Sequence, residues 1–363
     1  MGNKCVKIIF VFVMISSIFM LSGFSAEVTN GFTKGMLEER NNVYKISDTK
    51  VLIKSNNQLK LVDLVQGEII KDLKIKQIIL DVHSVFKPNK IIVLTQTGLN
   101  KIQKHVFNEN GVEISSFEYA LTVPKDVKVK WVAPNNAVNE RLIVQQGNLF
   151  TLYQESSKIP LVKFDAKLMD PNYEYVNVDD WEYENYPYLV IKYSGQRIMA
   201  EDYFVRIINL YTKKISTINN FDTDYDFMIK DQNKLLISTY WDYSQVYPAN
   251  APHPISTDKQ TFFSLYKLNS GEKVVDYSSL FNEVLNQTSG WDTQVVEDYV
   301  FVQDLGNNLW SLYQSNGTEI ALKQTGLNSG SKFLGYNAAN HMGYFLGIEE
   351  GFVLPKIISL QIK

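Results

Sequence analysis

"NNLWSLYQSNGTEIALKQTG", residues Asn307 to Gly326, reads as a β-hairpin. Apolar and β-branched residues flank a short polar turn at Ser315–Gly317, and Asn and Gly tolerate the positive φ that tight hairpins need. The chain writes this unit repeatedly. "NNQLKLVDLVQGEIIKDLK" starts at Asn56 and "GLNKIQKHVFNENGVEISSF" at Gly98. "GNLFTLYQESSKIPLVKFD" starts at Gly147, "DYFVRIINLYTKKISTINN" at Asp202 and "QTFFSLYKLNSGEKVVDYS" at Gln260. The turn positions Gly67, Gly111, Ser157, Lys213, Gly271 and Gly317 follow one another at 44, 46, 56, 58 and 46 residues. A period of about 40–50 residues with several strands per repeat points to a β-propeller.

Before each hairpin stands a more apolar run: "KVLIKS", "KIIVLTQ", "RLIVQQ", "YPYLVIKY", "KLLISTY" and "YVFVQD". Near-continuous apolar runs suit strands covered on both faces, as inner blade strands are. One further period after Gly317 lands on Lys363, and "KFLGYNA", "MGYFLGIE" and "KIISLQIK" supply three more strands. The expectation is therefore an all-β, seven-bladed propeller. Its last blade would be completed by a strand from Glu27–Asn42, so that no outer edge is left unpaired. Six blades with an extra N-terminal strand pair is the alternative. Helical patterns are short, at "GMLEERNN" from Gly35 and "SSLFNEVLNQ" from Ser278.

The hairpin ending in "NNLWSLYQSNGTEI" resembles blades of TolB-like and related bacterial extracellular propellers. The resemblance implies the fold alone. No WD dipeptide, YWTD, Asp-box or kelch double glycine is present, and a propeller does not by itself select a function.

Lys4 and Lys7 precede an apolar run from Ile8 to Phe24, followed by the small residues Ser25 and Ala26. This is the layout of a cleaved secretory signal peptide over 1–26, leaving 27–363 as one domain. The single cysteine, Cys5, lies in the leader, so the mature chain would hold no disulfide, thiolate ligand or cysteine nucleophile. A secreted or wall-associated bacterial protein fits this composition. The net charge of −3, more negative once Lys4 and Lys7 are removed, disfavours nucleic acid, which needs a basic stripe. No second membrane-spanning run appears, and a monomer is expected.

Blades four and five carry the longest repeats. "TYWDYSQVYPANAPHPISTD", Thr239–Asp258, falls between the second and third strands of blade five. Long loops in compact domains are often functional. Aromatic side chains offer large contact area at low entropic cost. Tyr240, Trp241, Asp242, Tyr243, Tyr247 and His253 are the candidate residues for binding an extracellular protein or a glycan. Asp222, Asp224 and Asp226, at alternate positions, are a candidate calcium site, carboxylate oxygens being hard ligands. No other cofactor is expected. The reading is a non-enzymatic binder; the alternative is a polysaccharide-acting hydrolase or lyase drawing acids from Asp179, Asp222, Asp226 and Asp242. No G-x-S-x-G, H-E-x-x-H or P-loop pattern occurs.

Overall fold

The computed structural model describes residues 31–38, 42–85, 89–98, 100–124, 127–132, 140–154, 157–185, 187–196, 201–221, 225–230, 234–239, 263–276, 291–304, 306–314, 317–349 and 351–362. A single helical turn, α1 (Gly35–Glu38), precedes the strands.

Blade 1 holds β1 (Val43–Ser47), β2 (Lys50–Ser55), β3 (Gln58–Asp63) and β4 (Glu68–Leu73). Blade 2 holds β5 (Ile78–Val85), β6 (Lys90–Gln96), β7 (Lys101–Asn108) and β8 (Glu113–Thr122). Blade 3 holds β9 (Lys128–Val132), β10 (Arg141–Gln146), β11 (Leu149–Gln154) and β12 (Pro160–Asp165). Blade 4 holds β13 (Tyr175–Asn185), β14 (Tyr188–Gln196), β15 (Glu201–Asn209) and β16 (Ile215–Phe221). Blade 5 holds β17 (Tyr225–Lys230), β18 (Lys234–Thr239), β19 (Phe263–Lys267) and β20 (Lys273–Asp276). Blade 6 holds β21 (Trp291–Val296), β22 (Tyr299–Asp304), β23 (Leu309–Gln314) and β24 (Glu319–Gln324). A last sheet has only β25 (Lys332–Asn337), β26 (Met342–Gly347) and β27 (Lys356–Gln361).

Every sheet is an antiparallel meander, and the chain is a β-propeller. The first strands of neighbouring sheets are the ones that approach each other, so they line the axis. The second strands are covered on both sides, as β2, β6 and β14 show, while β12 alternates between half-buried and exposed at the rim. Apolar clusters fill the seams from blade 1 to blade 5, and those on both sides of the three-stranded sheet.

The repeat of the turns is a repeat of backbone geometry. Gly67, Gly111, Lys213, Gly271 and Gly317 all take positive φ, between 61° and 90°. Just before several of them, a side-chain oxygen caps the turn. Asp63 Oδ1 accepts from the amides of Val65 and Gln66, both at 2.9 Å. Asn209 Oδ1 does the same for Tyr211 and Thr212 at 3.0 Å. Ser157 is built differently. Its amide donates to Gln154 O at 2.9 Å, and its Oγ accepts from Ile159 N at 3.0 Å.

Seven complete blades are not confirmed: among the described residues there are six four-stranded blades and a further sheet of three strands. The described part of the N-terminal segment supplies no fourth strand. Residues 31–34 are irregular and lead into the helical turn at Gly35–Glu38, with Met36 N donating to Thr33 O at 3.0 Å and Leu37 N to Lys34 O at 2.9 Å. The reason is burial. Phe32, just before the turn, and Met36 within it are both buried against blade 1 and the last sheet. The proposed leader, 1–26, lies outside the described residues. Among those described, no helix is long and apolar enough to cross a membrane.

Candidate binding face

Second-to-third-strand turns and blade-to-blade connections lie on one face of the propeller, tied together by a recurring bond. Asn57 Oδ1 accepts from Ile79 N at 3.0 Å, and Val123 N donates to Asn100 O at 2.9 Å. Ala166 N donates to Asn148 O at 2.8 Å. The first bond ties blade 1 to β5 of blade 2, and the other two fasten a connection to the blade it leaves.

The connection from blade 3 to blade 4, residues 166–174, is the most elaborate described one. Asp165 Oδ1 accepts from Lys167 N and Asp170 Oδ1 from Asn172 N, both at 2.9 Å, so two side-chain turns stiffen it. Tyr173 then anchors it. Its ring lies over Gly195 so closely that a Cβ there would stand 2.6 Å from a ring carbon. The Tyr173 ring also stacks on Phe204 at 6.2 Å and 22°, and Phe204 stacks on Tyr193 at 5.2 Å and 7°. Arg206 covers the Tyr193 ring at 5.8 Å. The Tyr193 hydroxyl donates to Ala166 O at 3.0 Å, holding the start of the connection. Burial pushes the Tyr193 phenol up to about 12, with Arg206 opposing and Asp165 adding to the shift.

This frame leaves apolar groups outward. Met169 is 82% exposed and Tyr175, first residue of β13, is 53% exposed. On the same face, the turn between β26 and β27 shows Phe352 and Val353, both more than half exposed. Lys356 Nζ lies 4.7 Å from the Phe352 ring centroid and 2.6 Å from Glu349 Oε2.

Carboxylates of blade 4 are engaged rather than paired with each other. Asp179 Oδ1 accepts from Ser194 Oγ at 2.9 Å, while Asp180 Oδ1 faces Lys128 Nζ of blade 3 at 3.3 Å. Glu182 meets Lys130 one step along the same two inner strands, and Lys130 Nζ lies 5.4 Å from the Trp181 ring centroid. These are cross-blade ion pairs, not an acid–base dyad.

Tyr240, Trp241, Asp242, Tyr243, Tyr247 and His253 lie outside the described residues, as do Asp222 and Asp224. Asp226 is in β17, in register with Ser238 of β18. Among the described residues, no three His, Cys, Asp or Glu side chains are grouped as metal ligands. The described histidines sit apart. His83 meets Trp131 edge-on at 5.2 Å, and His105 lies between Thr95 and Glu113. His341 Nδ1 is 3.0 Å from the Tyr336 hydroxyl.

The tyrosine-rich stretch beginning at Met169 marked blade 4 in the sequence, but Gly195 as the seat of an aromatic ring was missed. A glycine inside an apolar strand is the signal, since it often marks a close approach. Phe204, Met169 and the Phe352–Val353 turn had no pattern to single them out.

Fold and face together define a β-propeller with short antiparallel blades. No protein-family model matches the chain, and no curated protein does. Similar solved structures are propellers of low identity. The β-propeller domain of the Trilobed protease from Pyrococcus furiosus, described as having an open velcro topology, is 10% identical, with a TM-score of 0.49, over 88% of this chain and 94% of that one. Kluyveromyces lactis Hsv2 is 10% identical, with a TM-score of 0.44, over 88% of this chain and 97% of that one. BBS1N, solved in complex with ARL6DN, is 9% identical, with a TM-score of 0.44, over 88% and 92%. At such identities and scores none of them bears on function. The resemblance to TolB-like blades reaches as far as the propeller fold.

Proposed function

We propose that this chain is an exported, non-enzymatic propeller that binds an extracellular protein or a glycan through the loops of blades four and five. One observation carries the reading. The connection into blade 4 is stiffened by two side-chain turns and an aromatic stack, yet it presents Met169 and Tyr175 to solvent. A rigid frame around exposed apolar groups suits recognition, because little order has to be gained on binding. Blade five, with Tyr240, Trp241, Asp242, Tyr243, Tyr247 and His253, follows directly in the ring and extends the same surface in this reading.

The test uses the full mature chain against isolated cell-wall polysaccharides and extracellular protein fractions, with Met169→Ala, Tyr175→Ala and Trp241→Ala beside it. Aromatic hot spots carry about 2 kcal/mol or more of binding energy. The expected result is at least a tenfold loss of binding with unchanged melting. Undiminished binding by all three variants overturns the placement. Depolymerisation of any polysaccharide by the wild type, lost on changing Asp226 or Asp242 to Asn, establishes the enzymatic alternative instead.

A further inference from the structure

The seam between blade 1 and the last sheet differs from the other described seams in that a piece of chain is inserted into it. Phe32 and Met36 are 2% and 0% exposed. They lie among Val51, Ile53 and Leu64 of blade 1 and Leu334, Tyr344 and Leu346 of the last sheet. Lys332, at the start of β25, is buried and donates from Nζ to Met36 O at 2.9 Å and to Asn42 Oδ1 at 2.5 Å. Asn42 in turn donates to Lys54 O.

Two kinds of recognition meet here. The cleft accepts a pair of apolar side chains four residues apart, while the lysine binds a main-chain carbonyl, which any sequence provides. The inserted turn contributes little order of its own. Helices of four residues are far below the length that is stable alone, and α1 begins at Gly35, a poor helix former. Its conformation is imposed by the groove.

We propose that this seam is a groove for a short segment that carries two apolar side chains four residues apart and ends in a single helical turn, and that the chain's own Gly31–Glu38 segment is its resident, exchangeable ligand. A peptide of that sequence can then fill the groove in trans whenever the resident turn is weakened.

The experiment uses the full chain with Phe32→Ala and Met36→Ala, and a fluorescent peptide spanning Gly31–Glu38 read by anisotropy. The double variant is expected to bind the peptide at least tenfold more tightly than the wild type. Unlabelled peptide should compete, and a peptide with both alanines should not bind. Adding Lys332→Met to the variant chain should weaken peptide binding at least tenfold. Equal binding by wild type and double variant, or binding by neither, overturns the proposal. Should the double variant fail to fold, hydrogen exchange on the wild type decides. The Met36 and Leu37 amides are expected to exchange at least tenfold faster than those of Leu52 and Ile53, and equal protection overturns the exchangeable turn.

Discussion

Lys45 Nζ in β1 and Glu297 Oε2, just after β21, are 3.2 Å apart, so the first and sixth blades meet directly at the axis. The three-stranded sheet also packs between these two blades, its first strand β25 beside β21, through Phe333 and Phe345 on one side and Leu334 and Leu346 on the other. The ion pair thus ties the inner strands of blades 1 and 6, whereas the strand missing from the last sheet is its outer one. Lys45 also pairs with Asp48 at 3.1 Å.

A double-mutant cycle on Lys45→Met and Glu297→Gln should give a coupling of about 1 kcal/mol. Both side chains are largely but not fully covered, which keeps the value near that of a partly screened pair. Coupling should shrink in 1 M salt, where the screening length falls to about 3 Å. Urea denaturation of the four proteins measures it. Zero coupling at low salt would mean that the ring closes on packing alone.

Alkaline titration should weaken the fold. Burial opposes the charge on Lys45, but Glu297 and Asp48 outweigh it and hold the ammonium pKa above its ordinary 10.5. Tyr193, pushed up by burial, stays protonated to about 12 in the folded chain, whereas an unfolded tyrosine ionises near 10. In both cases the folded chain keeps protons that the unfolded chain releases, so stability is lost as pH rises from about 10 to about 12. Tyr193→Phe should flatten that loss, read by denaturation at several pH values. An unchanged slope would show that Tyr193 ionises freely.

Three turn substitutions test the repeated backbone geometry. Gly111→Ala puts a Cβ 2.8 Å from Leu73 Cδ2 at a φ of 69°, which should cost about 3 kcal/mol from strain and crowding together. Gly147→Ala, at a φ of 57° with nothing within 4 Å of the added Cβ, should cost about 1 kcal/mol. Lys213→Gly, at a φ of 61°, removes the left-handed penalty and should gain up to about 1 kcal/mol. Equal effects of the two alanine changes would remove crowding from the account.

Gly195→Ala should lift Tyr173 from its seat, since the new methyl would stand within 3 Å of three ring carbons. The expected cost is about 1–3 kcal/mol. Trypsin cleavage after Lys167 should quicken, because the connection loses its anchor. Unchanged proteolysis and stability would show that the connection is held by its turns without the ring.

The candidate site was legible only in outline. The tyrosine density from Met169 to Gly195 pointed to blade 4, because aromatic residues at such frequency exceed what one strand pair needs. Tyr173 and Tyr175 look equivalent in the sequence, yet one is packed on Gly195 and the other faces solvent. Their difference arises from Gly195 and Phe204, which reach Tyr173 only after β13, β14 and β15 have paired.

By itself the sequence determined the repeating hairpin, the apolar second strands and five of the six turn positions with positive φ, because these depend on local sterics and on burial period. Tertiary structure decided how the ring closes. Residues 31–38, read in the sequence as part of a closing strand, end in a helical turn instead; Phe32 and Met36 are buried in the seam, and Lys332, nearly three hundred residues away, donates to the Met36 carbonyl. Closure brings together residues from both ends of the chain, and no local pattern encodes a partner at that separation.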